Sequence, residues 1–87
     1  MYVIIVYDVE QKRVTKVMKF LRRYLMWVQN SVFEGEVTVA KFKEIQMGLK
    51  KLIKKDKDSV LFYKLSQQQD MQRVVMGLDK NPTDTLI

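Results

Sequence analysis

The chain has 87 residues, 47% of them hydrophobic, and carries 16 Lys and Arg against 10 Asp and Glu, a formal charge of +6, with no cysteine and no histidine. That length fits one compact domain with a real core, and the positive balance favours a polyanionic partner. The missing residue types exclude disulfides, thiolate or histidine zinc sites, and every Ser-His-Asp or Cys-His nucleophile. Hydrolysis here must rest on carboxylate, lysine, tyrosine or a hard cation held by oxygens.

The first segment, Tyr2–Tyr7, is apolar on both faces, as in a strand covered on both sides. It is too short, and runs too directly into charge, for a signal peptide, and nothing in the chain approaches the roughly 18 apolar residues of a membrane span. A reducing cytoplasm is the expected compartment. Asp8 closes this strand.

Gln11–Leu25 reads as a helix with Val14, Val17, Met18, Leu21 and Leu25 on one face. Lys12, Lys16, Lys19 and Arg23 form a stripe nearly opposite, flanked by Arg13 and Arg22. Met26–Val37 reads as two short strands with a turn at Asn30-Ser31 and a bulge at Gly35. Thr38 is placed to cap a second helix over Val39–Lys55, whose apolar face is Phe42, Ile45, Leu49, Leu52 and Ile53. The polar run "KKDKD" ends it. Ser59–Leu65 is a strand, Ser66–Asp70 a polar connector, and Arg73–Met76 a short fifth strand ended by Gly77. An Asn81-Pro82 turn precedes the apolar "TLI" at Thr85–Ile87.

The order β-α-β-β-α-β predicts an α+β, ferredoxin-like sandwich, an antiparallel sheet with both helices on one face, followed by an extra C-terminal strand. The helix-free face of the first strand (Tyr2, Ile4, Val6) is apolar where water is expected. A large apolar patch points to a partner, here a sheet-face homodimer. Alternation puts Asp8 on that same face, so two-fold symmetry would bring two copies of it together.

Asp8 has two readings. It begins a turn, or it holds a metal against a phosphate. One carboxylate is too few for magnesium, but a symmetric pair with waters and phosphate oxygens suffices, and such an ion would activate a water without histidine. The basic helix is either a solvated lysine face or a phosphate-binding one. No acid occurs between Gln11 and Phe33 to cancel it, and Lys12 to Arg23 spans roughly 16 Å, enough for more than one phosphate. Tyr7, Trp27 and Phe33 are either packing residues or stacking surfaces for bases.

Three stretches, "YVIIVYDV" followed by the basic helix, "VQNSVFEGEV" and "LKKLIKKDKDSVLFYKL", resemble the small CRISPR-associated adaptation protein family, CRISPR-associated protein two, over Met1 to about Leu65 and more loosely through the tail. The resemblance implies a ferredoxin-like homodimer whose C-terminal segment, here 78–87, packs against the partner subunit. It implies that Asp8 binds a divalent cation, Mg2+ or Mn2+, at the dimer interface; Tyr7 and Phe33 are expected to shape the wall around such a site. It further implies metal-dependent endonuclease activity on single-stranded RNA or double-stranded DNA, and a partnership with the larger CRISPR integrase in spacer acquisition. Arg13 and Lys16 are the nearest counterparts of the family's DNA-backbone contacts, and Lys19, Arg22 and Arg23 continue the series. The family often has more arginine after the first strand than "VEQKRVTK" carries. A non-catalytic DNA-binding scaffold bridging integrase dimers is the alternative.

Overall fold

Alternation along the first apolar run decides the architecture. The computed structural model describes residues 1–66 and 71–80. In it Val3, Ile5 and Tyr7 of strand β1 (Tyr2–Asp8) are buried, Ile4 and Val6 are half-buried, and Tyr2 and Asp8 are exposed. The chain continues as α1 (Gln11–Leu21), β2 (Met26–Gln29), β3 (Val32–Glu36), α2 (Val39–Leu52), β4 (Ser59–Leu65) and β5 (Met71–Gly77). The strands form one sheet in the order β2-β3-β1-β4-β5, with every pairing antiparallel. This is the expected ferredoxin-like α+β arrangement with its additional strand.

Both helices lay their apolar stripes on the Val3–Ile5–Tyr7 side. Val17 and Leu21 of α1, and Phe42, Ile45 and Leu49 of α2, join Phe33, Val60 and Phe62 in one core. The helices cross closely because Gly48 lacks a side chain; a Cβ there would lie 2.1 Å from the Phe20 ring.

Both helices are shorter than their apolar patterns predict. After Leu21 the chain tightens into turns, with the Arg23 N–H reaching back to the Phe20 carbonyl at 3.2 Å and that of Tyr24 to Leu21 at 3.0 Å. Leu25 is buried all the same, so burial persists where the helix does not. Helix α2 starts as expected, the Thr38 hydroxyl accepting the Lys41 N–H at 3.1 Å. It stops at Leu52 because the Lys54 N–H is taken by the Asp58 carboxylate at 2.9 Å rather than by a helical carbonyl.

The Asn30-Ser31 turn is present, with Asn30 at φ +44°. The irregularity in that hairpin lies between Trp27 and Gln29, whereas Gly35 pairs in regular register with Val3. The bulge expected at Gly35 is therefore displaced onto the edge strand, where loss of a ladder bond costs least. Strand β5 is longer than the expected Arg73–Met76. Most of the polar connector and the C-terminal Asn81-Pro82 and Thr85–Ile87 features lie outside the described residues. Residues 78–80 lie against their own chain.

Candidate metal and nucleic-acid site

Asp8 is the last residue of the central strand, facing Ser59 of β4 across the ladder. Strand β3 has already ended beside it, the Tyr7 N–H donating to the Ser31 carbonyl at 3.0 Å. The Asp8 side chain therefore leaves the sheet on the helix-free side, and it is 71% exposed. A cavity of about 270 Å³ opens there, lined by Val6, Tyr7, Asp8, Ser59, Leu61 and Lys80. The Lys80 Nζ lies 3.4 Å from Asp8 Oδ2 and donates to the Asp8 carbonyl at 3.4 Å.

Among the described residues no three acidic groups come together as a metal cluster. One chain offers one hard carboxylate, open to solvent and with room for a hydrated ion. That donor set suits a magnesium-class cation, which keeps several waters, and is incomplete without a second donor from elsewhere.

Phe33 is a core residue and does not line that cavity, whereas Tyr7, although buried, borders it. Phe33 is fully buried, and its ring stacks on Tyr7 with centroids 6.2 Å apart and planes 27° off parallel. Both rings occupy the helix side of the sheet, opposite Asp8. Burial raises the Tyr7 phenol above its ordinary pKa, against the opposing pull of the Ser31 hydrogen bond and the Arg22 charge.

The basic series divides. Lys12, Lys16, Lys19, Arg22 and Arg23 are exposed. Arg13 is not: its side chain is 9% exposed, with Nε donating to Asp58 Oδ2 at 2.6 Å, and Nη2 to Asp58 Oδ1 at 3.0 Å and to Glu10 Oε1 at 2.7 Å. Reading Arg13 as a backbone contact is corrected by this placement, because a guanidinium filled by two carboxylates inside the fold is not presented to a phosphate. The signal was in the spacing. Arg13, Val17 and Leu21 follow each other at four-residue intervals and share the buried face of α1.

Asp58, fully buried, is the residue that sequence reasoning missed. Its carboxylate also accepts the N–H groups of Glu10 and Lys54, each at 2.9 Å. Burial alone would push that carboxyl up; the Arg13 guanidinium and the two backbone donors outweigh it and hold it well below the usual carboxylate range. The same pair drives the Arg13 pKa upward.

The exposed cations of α1 and the Asp8 carboxylate thus occupy opposite sides of the sheet. Trp27, half-exposed on edge strand β2, donates its Nε1–H to the Asn30 carbonyl at 3.0 Å. No helix among the described residues is long and apolar enough to cross a membrane.

Residues 1–73 match the family model described as CRISPR associated protein Cas2. A CRISPR-associated endoribonuclease Cas2 of Thermococcus kodakarensis is 55% identical over the full length of both chains, and one of Pyrococcus furiosus is 54% identical, again over both full lengths. A crystal structure of a Cas2 protein superposes with a TM-score of 0.72 at 48% identity, covering 100% of this chain and 98% of that one. The chain belongs to the CRISPR associated protein Cas2 family.

Proposed function

We propose that the chain is a metal-dependent endonuclease on single-stranded RNA or double-stranded DNA, working as a cytoplasmic homodimer with the larger CRISPR integrase in spacer acquisition. The observation that carries this reading is Asp8, a solvent-open carboxylate at the end of the central strand, over a cavity on the helix-free face. Curated relatives named endoribonucleases support it, since they match the whole chain. One chain supplies one carboxylate, and the apolar positions Tyr2, Ile4 and Val6 beside it suit a symmetric partner bringing the second.

Magnesium or manganese held by the Asp8 pair would supply an acidified water and a polarised phosphoryl group. The chain's own residues do the positioning. Asp58, anchored by Arg13, holds the Glu10 amide two residues beyond Asp8 and so fixes the direction in which the strand exits. Lys16, Lys19, Arg22 and Arg23 bind backbone phosphates without reading sequence.

A cleavage titration of wild type and Asp8→Asn, with magnesium and with chelator, on matched RNA and DNA, tests this. Asp8→Asn should lose metal-dependent cleavage while remaining folded. Equal cleavage by both proteins would remove the metal role.

The separation of the helix cations from Asp8 across the sheet favours a second reading, a DNA-bracing scaffold in which Asp8 has no catalytic part. A scaffold would tolerate Asp8→Asn in a spacer-acquisition assay and fail when Lys16 and Lys19 are changed to glutamate.

A further inference from the structure

The chain folds back on itself after β5, and each step of the return is fixed. Gly77 has φ +85°, and a Cβ there would lie 2.2 Å from the Asp58 carbonyl oxygen, so only glycine makes the turn without strain. The Leu78 N–H then donates to that same oxygen at 2.9 Å. Asp79 follows, its Oδ1 accepting from Arg73 Nη2 at 2.8 Å. Three residues in succession are held, and Lys80 is delivered over the end of β1, against Asp8.

Stability does not explain the delivery. At 38% and 71% side-chain exposure the Lys80–Asp8 pair is a loose surface ion pair, of a class that contributes little to folding. Its place in the cavity is more informative. A phosphodiester entering there meets the negative charge of Asp8, and among the described residues Lys80 is the cation that touches it.

We propose that Lys80 is the phosphate-binding residue of the Asp8 site, an inference that rests on the reading of Asp8 given above. In the free protein the ammonium is held by Asp8. With the Asp8 charge neutralised, as a bound divalent cation would do, the ammonium would be free to turn to a non-bridging oxygen of the nucleic-acid phosphate, within reach of its flexible four-carbon stem.

The test reads binding, not cleavage. In Asp8→Asn protein with chelator present, the affinity for a short fluorescent single-stranded RNA is measured by anisotropy across a salt series. Adding Lys80→Met should weaken binding several-fold and reduce the slope of log affinity on log salt by about 0.7, the share of one phosphate contact on a single strand. Adding Lys80→Arg should keep both. Matching melting curves would show that the variants fold alike. Unchanged affinity and slope in the Lys80→Met protein would overturn the proposal and leave Lys80 a surface counter-ion. That failure is distinct from failure of the nuclease reading, which shows itself as cleavage by Asp8→Asn.

Discussion

The Arg13 guanidinium and the Asp58 carboxylate, 45 positions apart in the chain, meet inside the fold, Nε to Oδ2 at 2.6 Å. Through its other contacts Asp58 reaches the exit of β1 at Glu10, the end of α2 at Lys54, and the exit of β5 at Leu78. One acidic residue therefore ties together the three chain segments that converge behind Asp8. The connection runs through backbone amides, which have no rotamers to relax. Displacing Asp58 would move all three segments.

Asp58→Ala should therefore be severe. It strips the buried Arg13 guanidinium of its buried partner, leaving it only Glu10, and leaves two backbone N–H groups without their acceptor, a change of the class that costs about 3–5 kcal/mol. For a domain of this size each kcal/mol lowers the melting temperature by about 4–8 °C, so calorimetry should show a fall of well over 10 °C. A fall of a few degrees would mean that water replaces the carboxylate without loss.

The same pair predicts how stability depends on acid. The folded Asp58 carboxyl is held below its unfolded value of about 3.9. Between the folded and unfolded values the unfolded chain binds more protons, so stability rises with pH there. The contribution is complete above the unfolded value and drains away as pH falls through the folded one. Urea midpoints followed from about pH 6 down to about pH 2 should decline more steeply for wild type than for Asp58→Asn, which has no proton to take up at that position. Parallel declines would assign the acid sensitivity to other carboxylates.

Much of this architecture was legible because it rests on period. The apolar run of β1, the apolar stripes of both helices and the Asn30-Ser31 turn were all visible in the residue pattern, and the strand Ser59–Leu65 keeps its expected bounds. What pattern does not carry is partnership at a distance. Within "KKDKD", Asp56 and Asp58 look alike, yet Asp56 is exposed and Asp58 fully buried, a difference made by an arginine far away in sequence. Nor does composition show that a positive stripe and a carboxylate lie on opposite sides of a sheet. Lys80 likewise reaches Asp8 only because Gly77 turns the chain back.

The division of the basic series can be seen in two substitutions that look alike on paper. Lys16→Glu reverses an exposed charge, so it should leave the melting curve nearly unmoved while weakening nucleic-acid binding and flattening its salt dependence. Arg13→Glu sets a third carboxylate against Asp58 and Glu10 inside the fold, so it should destabilise the protein outright. Thermal melting paired with anisotropy titrations separates them. Loss of binding by Arg13→Glu at an unchanged melting temperature would return Arg13 to the surface.

The helix-free face offers the sharpest check on a shared site. Val6 is half-buried there, two residues before Asp8 and paired across the ladder with Val32 and Leu61, so its immediate neighbours are apolar. In a single chain Val6→Lys lets the ammonium reach water along its aliphatic stem, and the fold should lose little. Against a second copy the same ammonium would be desolvated among valines and leucines, with a penalty that grows with how completely the faces close. The dimer dissociation constant from analytical ultracentrifugation should therefore rise by at least about tenfold, equivalent to 1.4 kcal/mol. Metal-dependent cleavage should fall with it, although Asp8 itself is untouched. A variant that cleaves as a monomer would show that one Asp8 suffices.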